Sequence, residues 1–127
     1  MVRDGAIIAE GANRVTVAAD PTAHAEIVAI RDACAKLGSH VLAGCEIYTT
    51  CEPCPMCLGA IYWARLDRIY YANSRDDAAQ IGFDDEFLYR ELPLPLEQRQ
   101  IRMVRLLENE ARRVFAAWQS KPDKVRY

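Results

Sequence analysis

The chain of 127 residues lacks several features that define large classes of proteins. It has no uninterrupted apolar stretch of about 18 residues, so no segment has the pattern of a membrane-spanning helix. It has no excess of basic residues, because the formal net charge is −2, and this argues against a high-affinity nucleic-acid binder. It also has no internal repeat, low-complexity segment or linker, and its length suits a single domain with one core.

The number of cysteines is odd. There are five, so they cannot all pair within the chain, and the first residues, MVRDG, do not resemble a signal peptide. A reducing, cytoplasmic setting with metal-binding or catalytic cysteines is therefore the favoured interpretation.

The order of the predicted elements indicates an α/β fold. Strands are predicted over residues 5–11, 45–50 and 68–72, and helices over residues 21–37 and 54–65. The first helix is expected to begin with Asp20 as N-cap and Pro21 at the first helical position, and to end at Gly38.

The remaining segments have weaker patterns. Residues 14–18 are expected to be a second strand or an extended loop, and residues 83–89 a mobile element that contains three acids. The other predictions are a short helix over residues 76–80, a strand over 100–106, a helix over 108–119 and an unstructured tail from 121.

Two short motifs carry the chemistry. Cys54 and Cys57 form a Cys-x-x-Cys pair preceded by proline, with sulfurs one helical turn apart, and His24 and Glu26 lie near the start of another helix. If the two helix starts face each other, one histidine and two thiolates make three metal ligands and leave the fourth position for water, as in catalytic zinc sites. Zinc lowers the pKa of that water, and Glu26, which is not a ligand, can transfer its proton to a leaving group.

Each residue also has a simpler interpretation. His24 alone would be a capping or surface histidine, Glu26 an ordinary first-turn acid, and Cys54 and Cys57 a redox pair. Cys51 is close enough to compete as a ligand, but an extended chain at the following Glu-Pro step argues against it. Cys34 and Cys45 are predicted to be small core residues.

Taken together, these stretches resemble the cytidine deaminase-like superfamily of zinc nucleobase deaminases, whose signature is His-x-Glu followed by Pro-Cys-x-x-Cys. Within it, the pattern of the chain resembles that of the bacterial guanine deaminases. The stretches that carry the resemblance are residues 20–26 (DPTAHAE), 50–65 (TCEPCPMCLGAIYWAR), 82–85 (GFDD), 115–118 (FAAW) and Tyr127. The first two would also fit cytosine deaminases or tRNA adenosine deaminases, whereas GFDD and the terminal tyrosine favour guanine.

The resemblance implies a fold, a reaction and a set of site residues. The fold would be an α/β/α three-layer sandwich around a five-stranded mixed sheet, and one Zn²⁺ per subunit would support attack of hydroxide on C2 of guanine, giving xanthine and ammonia. The implied roles are zinc ligation by His24, Cys54 and Cys57, proton transfer by Glu26, and substrate contacts by Asn13, Ala25, Asp85 and Tyr127.

The resemblance also implies a homodimer in which a C-terminal segment, about residues 100–127, is exchanged between subunits, so that Tyr127 acts in the partner's site. Relative to the family pattern, the chain begins partway along the first strand, without the N-terminal helix of the family. It is otherwise expected to be a single zinc-dependent deaminase domain over residues 1–127.

Two alternatives stay open. The chain could deaminate another base, either cytosine or adenosine in tRNA, although its net charge favours a free base over nucleic acid. It could also be a non-catalytic, zinc-stabilised binding module, in which case Cys51 is the candidate for a fourth protein ligand.

Overall fold

The computed structural model describes residues 1–83 and 85–125. The chain consists of two compact units, Met1–Leu92 and Pro93–Tyr127. Within the described residues, no helix has both the length and the apolar character needed to cross a membrane.

The first unit contains a mixed sheet of four strands in the order β2-β1-β3-β4. β1 pairs antiparallel with both β2 and β3, and β3 pairs parallel with β4. The bounds of the strands are β1 Val2–Arg3, β2 Ala6–Ile7, β3 Cys45–Cys51 and β4 Arg68–Asn73. The predicted mixed α/β class is confirmed, but the described residues form four strands rather than five.

A tight turn shapes the beginning of the chain, where one strand was predicted over residues 5–11. Asp4 and Gly5 both have positive φ, at 51° and 76°. An Asp-Gly pair with this backbone is typical of the two-residue type I′ hairpin turn. The turn reverses the chain between β1 and β2, so the predicted strand is reduced to the two residues of β2 and its pairing partner precedes it.

The helix that carries Glu26 begins later than predicted. α2 spans Ala25–Leu37 and ends at Gly38, which has a left-handed φ of 61° as a C-cap. Asp20 does not cap it, because the Asp20 carboxylate accepts hydrogen bonds from the backbone N–H (2.8 Å) and hydroxyl (2.7 Å) of Thr22. These bonds form a local turn, a use of aspartate that competes with helix capping.

The segment predicted as extended, residues 14–18, contains instead a short helix, α1, at Val15–Ala18. The side-chain carbonyl of Asn13 accepts a hydrogen bond from the N–H of Val15 at 3.1 Å, which stabilises the turn that starts this helix. The local hydrogen bond outweighs the preference of the two valines for a strand.

α3 spans Pro55–Trp63, close to the predicted 54–65, and connects the parallel strands β3 and β4. α2 and α3 cover the face of β3 that carries Cys45 and Ile47, which are 0% and 2% exposed. The next residue on the strand, Tyr48, faces the opposite way and is exposed. This alternation is the pattern of a strand packed on one face. Of the two cysteines predicted as core residues, Cys45 is fully buried, and Cys34 is partly buried and packs against the same cluster.

Two short helices complete the first unit. α4 spans Arg75–Gln80, in agreement with the prediction, and begins with a capping box between Ser74 and Asp77. α5 spans Glu86–Glu91, overlaps the segment 83–89 that was predicted to be a mobile element, and buries none of its residues.

The second unit contains a 3₁₀ turn at Leu96–Gln98 and a helix, α6, at Glu108–Ser120. The predicted helix is confirmed, but its apolar stripe is exposed at Val114, Phe115 and Trp118. The strand predicted over residues 100–106 is wrong: these residues form no strand. A strand needs a hydrogen-bonded neighbour, and no described strand pairs with this segment.

Candidate active site

Two helix starts provide the candidate metal ligands. His24 is the N-cap of α2 and Cys54 is the N-cap of α3, and both have extended backbone. Pro55 fixes the first turn of α3, where a missing N–H costs nothing. The prediction placed His24 inside the first helical turn, whereas it directly precedes the helix.

Packing of α2 against α3 brings the two starts together. The Nδ1 atom of His24 lies 3.6 Å from Sγ of Cys54. One ligand atom each of His24, Cys54 and Cys57 lies within 4.8 Å of the others. Tetrahedral zinc with bonds of about 2.3 Å to sulfur and about 2.0 Å to nitrogen would separate those two atoms by about 3.5 Å. The donor set and its spacing therefore fit a zinc ion.

The pKa values of the two thiols of this site are shifted in opposite directions. A hydrogen bond from Cys57 lowers the pKa of Cys54 to about 6, and backbone N–H groups at the start of α3 and the nearby His24 contribute to the same shift. The hydrogen bond with Cys54 and, next, burial raise the pKa of Cys57. One thiolate is thus present near neutral pH before any metal binds, and a metal would displace the remaining proton.

Glu26 lies in the first turn of α2 and is half-buried. Its carboxylate hydrogen-bonds with Cys57 and adds to the rise in the pKa of that thiol. It is therefore beside the candidate ligands without belonging to the group of three. A carboxylate in this position can accept a proton from a water at the metal and donate it to a leaving group.

A cavity of about 830 Å³ opens beside these residues. Six of the eight predicted site residues line it, namely Asn13, His24, Ala25, Glu26, Cys54 and Asp85. Cys57 is fully buried behind Cys54, and Tyr127 lies outside the described residues. The cavity falls within the size range of sites for small molecules.

Asp85 has an unusual environment for a carboxylate. It is the residue before α5, and its Oδ1 atom is buried without a hydrogen-bond partner among the described residues. An unsatisfied buried acceptor costs about 1–3 kcal/mol, and more when it is charged. A ligand with N–H groups could satisfy this oxygen from within the cavity.

Cys51 lies outside the group of candidate metal ligands. Its Sγ donates to the carbonyl oxygen of Ser74 at 3.8 Å, and burial raises its pKa. Among the described residues, the cluster of candidate ligands contains His24, Cys54 and Cys57 only. The geometry therefore provides no support for Cys51 as a fourth ligand.

The sequence interpretation missed several cavity residues. Phe83 is 61% exposed and lines the cavity next to Leu88. It belongs to the GFDD segment, so an aromatic residue beside the predicted Asp85 was the available signal. Thr49 and Thr50 also line the cavity, at the end of β3. Their position follows only from the direction of the strand, which no motif revealed.

Comparisons with known proteins agree with this geometry. A family profile, the cytidine and deoxycytidylate deaminase zinc-binding region, matches residues 1–73. Guanine deaminase of Bacillus subtilis (strain 168) is 53% identical over 127 residues, which are 100% of this chain and 81% of that protein.

Two further comparisons concern the solved fold and a second kind of relative. The X-ray structure of guanine deaminase from Bacillus subtilis superimposes with a TM-score of 0.96, at 53% identity, over 99% of this chain and 80% of that one. A tRNA-specific adenosine deaminase of Agrobacterium fabrum is 51% identical, but over 71 residues, which are 56% of this chain and 47% of that protein.

Proposed function

The chain belongs to the cytidine and deoxycytidylate deaminase zinc-binding family, and from this premise we propose that it hydrolyses guanine to xanthine and ammonia. The observation that carries the proposal is the 53% identity to a guanine deaminase along all 127 residues. The similarity to the tRNA-specific adenosine deaminase of Agrobacterium fabrum covers 71 residues, and that to another tRNA-specific adenosine deaminase covers 111 residues at 31% identity. The guanine deaminase is therefore matched along the whole chain at 53% identity, whereas the tRNA-specific adenosine deaminase matched over 87% of the chain is 31% identical.

Zinc is the metal of this family, and we assign its ligands to His24, Cys54 and Cys57. The spacing of their ligand atoms and the lowered pKa of Cys54 support this assignment. When bound to three protein ligands, zinc acidifies a water at its open position and makes it a nucleophile near neutral pH. An additional thiolate would close that position, and the placement of Cys51 against Ser74 is consistent with an open one.

We assign proton transfer to Glu26. Its carboxylate lines the cavity and hydrogen-bonds with Cys57, so it lies next to the proposed ligands and faces the substrate. It would take a proton from the attacking water and deliver it to the exocyclic amine at C2, which leaves as ammonia. A positioned general acid–base contributes about 10²–10⁴-fold to a reaction of this kind.

We assign recognition of the purine to Asn13, Ala25, Asp85 and Tyr127. The unpaired Oδ1 atom of Asp85 suits the N–H groups of guanine. Ala25 is the first residue of α2, where backbone N–H groups lack acceptors within the helix. Asn13 lies on the cavity wall, and its side-chain carbonyl already accepts from Val15, so its role would depend on the amide nitrogen.

We further infer a homodimer in which residues of about 100–127 are exchanged, bringing Tyr127 to the partner's cavity. The exposed apolar stripe of α6 supports this inference, because a helix face of this kind needs a partner surface. Charge supports it too. Residues 1–92 have eight basic and fourteen acidic side chains, a net of −6, whereas residues 93–127 have eight and four, a net of +4.

We also infer a cytoplasmic location. All five cysteines are free, and a site that depends on two reduced thiols requires a reducing compartment.

The decisive experiment is ammonia release by the zinc-loaded protein with guanine, adenine, cytosine and an adenosine-containing tRNA stem-loop in parallel. Release from guanine, accompanied by xanthine, is expected. Release from the stem-loop or from cytosine, without release from guanine, would favour the other deaminases of the family. No release from any substrate, with zinc bound, would favour a binding module.

A further inference from the structure

A tyrosine joins the two halves of the candidate site. Tyr89 lies on α5, one turn after Asp85, and its backbone N–H donates to the carbonyl oxygen of Asp85 at 3.4 Å. Its phenol hydroxyl donates to the carbonyl oxygen of Pro53 at 3.3 Å. Since Pro53 directly precedes Cys54, one side chain connects the acid-bearing helix to the segment that carries a proposed zinc ligand.

Neighbouring groups hold the ring of Tyr89 in place. The guanidinium carbon of Arg75 lies 4.9 Å from the ring centroid, within the range of a cation–π contact. The backbone N–H of Arg75 donates to Oε2 of Glu52 at 3.0 Å. The two residues before Cys54 are therefore hydrogen-bonded to different helices, Glu52 to α4 and Pro53 to α5. Burial raises the pKa of Tyr89, which keeps the phenol protonated as a donor at neutral pH.

α5 has few other means of fixing the position of Asp85. The helix has six residues, none of them is buried, and Asp85 makes no side-chain capping bond to it. A helix this short is not stable by itself. The position of the Asp85 carboxylate relative to Cys54 therefore depends on contacts of α5 with the rest of the unit, and the Tyr89–Pro53 hydrogen bond is the polar one that ends beside a proposed zinc ligand.

We propose that Tyr89 is a positioning residue for guanine recognition, and that it acts by setting the distance between the Asp85 carboxylate and the Cys54 segment. Tyr89 has no place among the residues that line the cavity, so it acts through Asp85 and not on the purine. This inference rests on the proposed function, because it takes Asp85 as the acceptor for the N–H groups of guanine.

The test is a double-mutant cycle with Y89F and D85N. Y89F removes one hydroxyl and keeps the ring. It is expected to lower kcat/KM for guanine by about three- to tenfold, mainly through a higher KM, because the net contribution of one hydrogen bond is lost. Adding Y89F to D85N is expected to change kcat/KM by less than about twofold, because the residue that Tyr89 positions is already lost.

Three further measurements separate this role from a structural one. Zinc content is expected to stay at one ion per chain in Y89F, because the Cys54 backbone is unchanged. Binding of the guanine analogue 8-azaguanine, titrated by calorimetry in an E26Q background, is expected to weaken as KM rises. Y48F is the matched control, since the phenol of Tyr48 donates to Glu46 at 3.2 Å within β3 rather than to the segment before Cys54, and no change in KM is expected.

Several outcomes would overturn the proposal. Full additivity of Y89F and D85N, loss of zinc from Y89F, or a KM within twofold of the wild type would each contradict it. If Y89F did not fold, R75Q would replace it, because this change removes the cation–π contact with the ring of Tyr89. An unchanged KM in R75Q would then contradict the proposal. A wild-type protein without activity on guanine would overturn the proposed function itself, and this result is distinguishable because it does not depend on Tyr89.

Discussion

The two units of the chain differ in what surrounds their apolar residues. In Met1–Leu92, side chains from α2, α3 and β3, such as Ala33 and Ile47, form a buried cluster together with Leu42 from the segment between α2 and β3. In Pro93–Tyr127, α6 has as clear an amphipathic pattern, but Phe115 and Val114 are 76% and 67% exposed. The difference shows that amphipathic periodicity predicts a helix without indicating what will cover it.

The two units also differ in net charge. The first carries the net negative charge and the candidate site, and the second carries a net positive charge, with none of its described residues lining the cavity. Single substitutions can therefore test catalysis, core packing and subunit association separately. Each substitution has a control, either in the other unit or at another position of the same unit.

The largest effect is expected for Cys54→Ala. Removing the thiol with the lowered pKa leaves two ligands of the proposed three, so zinc should be lost at purification and ammonia release should fall below detection. Metal analysis and the ammonia assay measure both. Cys51→Ala is the control and should keep one zinc per chain, because the Cys51 thiol donates to Ser74. Full zinc retention in Cys54→Ala would instead identify Cys51 as a ligand.

Glu26→Gln comes next, with an expected loss of about 10²–10⁴-fold in kcat and no loss of zinc, because the amide cannot transfer the proton. The matched control in the second unit is Glu110→Gln, which also changes a first-turn acid of a helix, α6. Its turnover should equal that of the wild type. Native turnover by Glu26→Gln would refute the assigned mechanism.

A pair of truncations compares packing in the two units. Ile47→Ala, at a side chain that is 2% exposed, should lower the free energy of unfolding by about 2–5 kcal/mol. Val114→Ala, on the exposed stripe of α6, should change it by less than about 0.5 kcal/mol in dilute, monomeric protein. Denaturant unfolding at several concentrations measures both values.

The concentration dependence of that experiment bears on the dimer. If α6 packs on a second subunit, the cost of Val114→Ala should grow as protein concentration rises. A small cost at every concentration, together with a monomeric mass in sedimentation, would contradict the exchanged dimer.

Apart from the control variants, the smallest effect concerns close packing inside the first unit. A Cβ at Gly11 would lie 2.2 Å from the carbonyl oxygen of Ala25, so Gly11→Ala should force the Asn13 loop away from α2 and lower the free energy of unfolding by about 1–3 kcal/mol. Gly59→Ala is the control within α3, where a Cβ meets nothing within 4 Å. It should stabilise the protein by up to about 1 kcal/mol. Thermal unfolding distinguishes these opposite signs, and a stabilised Gly11→Ala would show that the loop is not closely packed.

The candidate metal ligands could be predicted from the sequence, because short motifs at helix starts specify them. His24, Cys54 and Cys57 were named from spacing and proved to lie together. Strand β3 and helix α6 were also predicted to within a residue, since a run of β-branched and aromatic residues or an apolar stripe suffices to define each.

Other features depended on interactions that one sequence does not display. Asp20 and Pro21 form a good helix start in sequence, but the Asp20 carboxylate bonds to Thr22 and the helix begins at Ala25. The apolar residues of 100–106 were read as a strand, although no described strand is their neighbour. The contact of Tyr89 with Pro53 joins residues that are 36 positions apart, and no motif predicts it.

The caps of α2 and α3 involve a trade-off between stability and activity. His24 and Cys54 occupy the N-cap positions, yet neither makes a side-chain capping bond. Asp or Ser at such positions is typically worth about 1 kcal/mol more. Each helix start is thus weaker than local physics allows, and a zinc ion held by the proposed ligands would compensate for both at once. A population of this protein selected only for heat resistance, in a medium without zinc, would be expected to improve its helix caps by discarding the residues proposed to bind zinc.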